Sequence, residues 1–186
     1  SHLDLTSGRD RGRIYRVKPK GFQRPPQPRL GEFSTERLVA CLDHTSAWWR
    51  ETAHRLLYER QDKTAEEALR RLLRESPRPQ ARLHALWSLH GLEVLSQQDI
   101  LTGLADPYAA IRENAVRLAE PMLNQSKELL GRCLELGSDP NPRVRFQVAF
   151  TLGESRDASA VKTLATIARH DAADYFLRTA ILSSSH

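Results

Sequence analysis

The sequence predicts an all-α chain, a right-handed α-α superhelix of about five helix pairs behind a short extended tail. Three observations carry this. Capping residues open apolar-periodic runs at Ser34, Thr64, Ser96, Ser126 and Asp157, spaced 30, 32, 30 and 31 residues apart. A second series of helix starts falls between them, near Ser46, Arg78, Asp106, Asn141 and Asp171. These second helices align on one arginine each: Arg50, Arg82, Arg112, Arg145 and Arg178. A unit this short cannot bury its apolar face alone, so neighbouring units must stack.

Residues 1–33 stand outside the repeat and read as a basic extended tail with a Pro-rich linker; residues 34–186 read as the repeat domain. Within the tail, "GRIYRVKPKG" (12–21) has the composition of a short strand, and "FQRPPQPRLGEF" (22–33) that of an extended linker. Residues 1–30 hold eight Lys/Arg against two acids; residues 31–186 hold twenty against twenty-one. The basic excess therefore lies in the tail, and the nearly neutral repeat domain leaves nucleic-acid binding, which needs a cationic groove, as a minor alternative.

In the first helices, "TAEE" (64–67) has the capping-box pattern. In the second helices, Pro107 and Pro142 are placed at the first helical position, where no N–H is needed. Gly91 and Gly153 fall at helix ends, where a left-handed cap favours glycine. Three residues after the repeat arginine stand Ala53, Ala85, Ala115 and Val148, with Ala180 one place early in the last unit. Seven residues after it stand Leu57, Leu89, Ala119 and Leu152, and one before it Trp49, Ala81, Ile111, Val144 and Leu177. Small residues let two helices approach, and the later apolar residue fills the seam. Trp49 is thereby assigned to packing.

The stretches "DPYAAIRENAVRLAE" (106–120) and "DPNPRVRFQVAFTLGES" (139–155) resemble short bacterial HEAT-like repeats. That resemblance implies that the repeat arginines pair with turn aspartates, which Asp106 and Asp139 match. Arg50, Arg82, Asp106, Arg112, Asp139, Arg145 and Arg178 are therefore expected to be structural. "DRGRIYRVKPKG", "STERLVACLDHTSAWWRETAHRLLYER", "ARLHALWSLHGL" and "IRENAVRLAE" further resemble the middle of large planctomycete and verrucomicrobial membrane-bound-dehydrogenase-like, haem-binding CxxCH proteins. The layout implied is a β-propeller, HEAT-like repeats and a c-type cytochrome module. The chain would then be a segment of a longer protein, residues 10–18 would be the closing propeller strand, and the compartment would be periplasmic or otherwise extracytoplasmic. Haem c is implied for that parent alone.

No catalytic, metal or cofactor motif is present in this sequence. The seven histidines show no HExxH spacing, Cys41 and Cys133 form no CxxC or CxxCH, and no GxSxG or Gly-rich phosphate loop occurs. No run of ~18 apolar residues offers a membrane span. The chain is expected to be a non-catalytic interaction scaffold or a rigid spacer, its partners being protein, including flanking domains of the same polypeptide. Positions one and five after the repeat arginine read Glu51/Arg55, Leu83/Trp87, Glu113/Arg117 and Phe146/Phe150. His84 and Trp87 turn away from the Ala81–Ala85–Leu89 stripe, so Arg55, His84, Trp87 and Arg117 form the expected partner-contact patch.

Overall fold

Ten α-helices alternate in five antiparallel pairs in the computed structural model, which describes residues 17–23 and 27–184. The first helices are α1 (Thr35–Cys41), α3 (Glu66–Glu75), α5 (Gln97–Leu104), α7 (Lys127–Glu135) and α9 (Ala158–His170). The second helices are α2 (Ala47–Arg60), α4 (Pro79–Gly91), α6 (Ala109–Ala119), α8 (Pro142–Gly153) and α10 (Tyr175–Ser183), numbered so that each follows its partner. Each second helix packs on the next, α2 on α4, α4 on α6, α6 on α8 and α8 on α10. The first helices form the other layer, as in a helical solenoid. Among the described residues there is no strand, and no helix is long and apolar enough to cross a membrane.

The seam residues are where the repeat predicts them. Ala53, Ala85, Ala115, Val148 and Ala180 are fully buried, as are Leu89 and Ala119, with Leu57 and Leu152 almost so. Cys41 and Cys133 are buried among them as free thiols. Burial pushes the Cys133 thiol up to about 12, so it stays a neutral, inert hydrophobe.

Several local expectations are corrected. Thr64 is not a cap: Asp62 accepts from the Thr64 N–H and hydroxyl, a 3-10 turn covers Lys63–Ala65, and α3 starts only at Glu66. Asp beats Thr here because a carboxylate two residues earlier satisfies two donors at once. The reciprocal capping box belongs instead to Ser96 and Asp99. Pro107 lies ahead of α6, whose cap is Tyr108, while Pro142 and Pro79 do occupy first-turn positions. The last second helix starts after Asp174, not Asp171.

Gly91 and Gly153 are not left-handed caps. A Cβ on Gly91 would sit 2.9 Å from the Tyr58 ring, and one on Gly153 would sit 2.6 Å from Ser184 Cβ. Both glycines serve close helix approach, a need that sequence position alone does not reveal. The left-handed residues of the repeat domain are Gln61 (φ 51°) and Glu93 (φ 57°). Half of the strand read at 12–21 lies outside the described residues, as does most of the 10–18 propeller strand; residues 17–21 form no strand and are exposed.

Candidate functional site

Two constructions stand out: an arginine–aspartate ladder through the stack, and the face of the second helices.

The ladder begins with helix register. Each repeat arginine lies four residues after its helix cap, its N–H bonded to the cap carbonyl: Arg50 to Ser46, Arg82 to Arg78, Arg112 to Tyr108, Arg145 to Asn141 and Arg178 to Asp174. From there every guanidinium reaches back through Nη1 to the carbonyl six residues earlier: Arg50 to His44, Arg82 to Ser76, Arg112 to Asp106, Arg145 to Asp139 and Arg178 to Ala172. That contact ties the helix to its own turn.

The remaining edge of the fork faces the following unit. Arg82 Nε and Nη2 donate to the two carboxylate oxygens of Asp106 at 2.7 and 3.0 Å. Arg112 grips Asp139 with the same distances, and Arg145 grips Asp171 at 2.7 and 2.5 Å. Such bidentate pairs match fork to fork and are stronger than neutral hydrogen bonds. The aspartates also organise their turns: Asp106 accepts from Tyr108 N–H and Asp139 from Asn141 N–H, both at 2.8 Å. The Arg145 hydrogen bond, then His170, holds the Asp171 carboxyl below the usual range against burial. For Asp139, burial pulls upward, but Arg112 and the Asn141 N–H outweigh it and the carboxyl is lowered.

The ladder is incomplete at its first step. Ser76 stands where Asp106 and Asp139 stand in later units, six residues before the next arginine. Its hydroxyl donates to Asp43 at 3.2 Å and accepts from Arg78 N–H at 3.1 Å. Among the described residues Arg50 therefore finds no carboxylate, and its Nε is buried without a hydrogen-bond partner. A parallel rung links the first helices, where Arg70 Nε donates to both oxygens of Asp99 at 3.2 and 3.1 Å.

On the second-helix face, the residues five after the repeat arginine form one row: Arg55, Trp87, Arg117 and Phe150. Arg55 is exposed and pairs with Glu59 at 3.0 Å; Arg117 and Phe150 are exposed. Trp87 is half-buried against the core, and its indole N–H donates to Asn114 at 2.9 Å. His84 is half-buried too, its ring 5.3 Å from that of His54, which bonds Ser88 at 3.0 Å. The expected patch of Arg55, His84, Trp87 and Arg117 thus divides into two exposed arginines and two half-buried side chains packed on neighbouring units. Trp48 is half-exposed, while Trp49 stacks on His44 at 4.8 Å. Sequence reading missed Asn114, and it missed a groove of about 380 Å³ walled by Phe146, Phe176, Leu177 and Glu113, built from three different units.

Burial, then the nearby His54 and Arg50 charges, pushes His84 down to about 4. A histidine depressed from its ordinary ~6.5 favours the folded state only while neutral. Its contribution is complete above pH ~6.5 and is lost as pH falls towards 4. His84→Gln is expected to flatten the decline in melting temperature between pH 7 and pH 5. Equal slopes for the variant and the parent would show that His84 does not titrate with unfolding.

Residues 97–185, just under half of the chain, match the family described as HEAT repeats. No curated protein matches the chain. Among the described residues no group of three or more potential metal ligands occurs. With the rungs running through units two to five, the chain carries a HEAT-like repeat segment in a helical-repeat scaffold.

Proposed function

We propose that this chain is a non-catalytic interaction module that holds a protein partner across its second-helix face, as part of a larger oxidoreductase-like protein. The observation that carries this is the row Arg55, Trp87, Arg117 and Phe150. It crosses the second helices of four consecutive units and opens beside the Phe146–Phe176 groove. The row takes no part in the ladder, and it joins aromatic and arginine side chains, the types enriched where proteins dock. His84 lies one turn before Trp87 on the same helix, its ring against His54 of the first unit. The resemblance of the chain to the middle of dehydrogenase-like CxxCH proteins supports flanking modules of the same polypeptide as the partner. The ladder favours a second use of the same module, as a rigid spacer between a propeller and a cytochrome module.

Photo-crosslinking tests the reading. A benzophenone side chain replacing Phe150 or Arg117 is expected to give discrete protein adducts in the native cells, and one replacing the exposed Arg132 on α7 none. Adducts of equal yield at all three positions, or none from the second-helix face, would refute it.

A further inference from the structure

We propose that the outer face of the fifth unit, α9 and α10, is a docking surface for one more helical hairpin that carries an aspartate in its inter-helix turn. Three equivalent positions lead there. The residue four after the repeat arginine is Leu86, Val116 and Ala149 in units two to four, each 0% exposed; in unit five it is Leu182, 72% exposed. The cover is supplied by the following unit: Leu86 Cδ2 lies 3.3 Å from where a Cβ on Gly103 of α5 would be. The residue four after the position that precedes the first helix (Ser34, Ala65, Ser96 and Ser126) is Leu38, Leu69, Ile100 and Leu130, at most 9% exposed; after Asp157 in unit five it is Val161, 67% exposed. The arginine position shows the same change. Arg82, Arg112 and Arg145 each grip the next unit's aspartate, whereas Arg178 keeps, among the described residues, only its backbone anchor to Ala172, at 3.3 Å.

Apolar exposure alone would not say what covers this face. Arg178 does. Its helix register and its backbone anchor are those of the other repeat arginines, so its Nε and Nη2 edge is presented as theirs are. A bidentate arginine fork selects a planar carboxylate. In three of the four junctions between units of this chain the group so selected is the turn aspartate of a following hairpin. Leu182 and Val161 supply apolar contacts whose counterparts Leu86, Val116 and Ala149, and Leu38, Leu69, Ile100 and Leu130, are buried in the earlier units. The occupant is therefore a HEAT-like hairpin with an aspartate turn.

The experiment extends the full chain in register, appending a copy of residues 154–186 directly after His186, so that the added Asp171 follows Arg178 by the same 26 residues that separate Arg145 from Asp171. The expected result is a melting temperature several degrees above that of the parent chain. That gain should shrink with Arg178→Gln or with Asp171→Ala in the added copy, and the double variant should lose no more than either single one. Arg178→Gln in the unextended chain should leave the melting temperature nearly unchanged, which separates docking from a general folding role. An added unit that gives no gain and stays protease-sensitive would overturn the proposal. Concentration-dependent self-association of the unextended chain, abolished by Arg178→Glu, would overturn it too, assigning the face to a second copy.

Discussion

Arg145→Ala is expected to cost about 3–5 kcal/mol, the range for removing one partner of a buried ion pair. Arg145 and Asp171 have side chains only 6% and 10% exposed, so water cannot replace what is lost. The deletion removes three hydrogen bonds: two to Asp171 and one to the carbonyl of Asp139. It leaves the Asp171 carboxylate with the His170 Nδ1, 3.2 Å away, as its remaining side-chain partner. For a chain of this size the loss corresponds to roughly 10 °C in melting temperature. The double variant Arg145→Met with Asp171→Leu should recover much of it, because apolar pairs can replace a buried ion pair at little net cost. Calorimetry on the three proteins checks this. An unchanged melting temperature in Arg145→Ala would show that the rung does not hold the units together.

The repeat was legible because three signals coincide: the period, the arginine, and small residues three places later. Each follows from the need to bury one face per helix against a neighbour. The arginine's carboxylate partner was legible through Asp106 and Asp139, which sit in similar DP turns. Asp171 was harder to recognise as the partner of Arg145, because its turn is one residue longer before the Asp174 cap. Thr64 was misread since a capping box is local, whereas Asp62 wins by also accepting from Thr35 across 27 residues. Gly91 and Gly153 were misread for a similar reason. A glycine at a helix end fits either a left-handed cap or a close approach, and only the position of Tyr58 or Ser184 separates them.

The candidate contact face was less legible than the ladder. Helical periodicity places Trp87 and His84 away from the core stripe, but it does not show how close the neighbouring helices come. Asn114 of the third unit reaches Trp87, and His54 of the first reaches His84. The aromatic groove beside them draws Glu113, Phe146 and Phe176 from units three, four and five, a juxtaposition that depends on the stacking geometry.

Ser76→Asp tests the ladder most directly, because it adds a rung where one is missing. Ser76 already holds the turn that Asp106 and Asp139 hold, accepting from the N–H two residues on. An aspartate there keeps that bond and offers a carboxylate to the unpartnered Nε of Arg50. Hydrogen bonds to charged groups contribute ~1.5–3 kcal/mol. Repulsion from Asp43, whose oxygen lies 3.2 Å from the Ser76 hydroxyl, offsets part of this. A net gain of about 1 kcal/mol, or ~3 °C, is expected. The gain should vanish in an Arg50→Gln background, since the new carboxylate would then have lost its fork. A lower melting temperature in Ser76→Asp, or an equal rise with and without Arg50, would contradict a stack held by arginine forks on the turn carboxylates of the next unit.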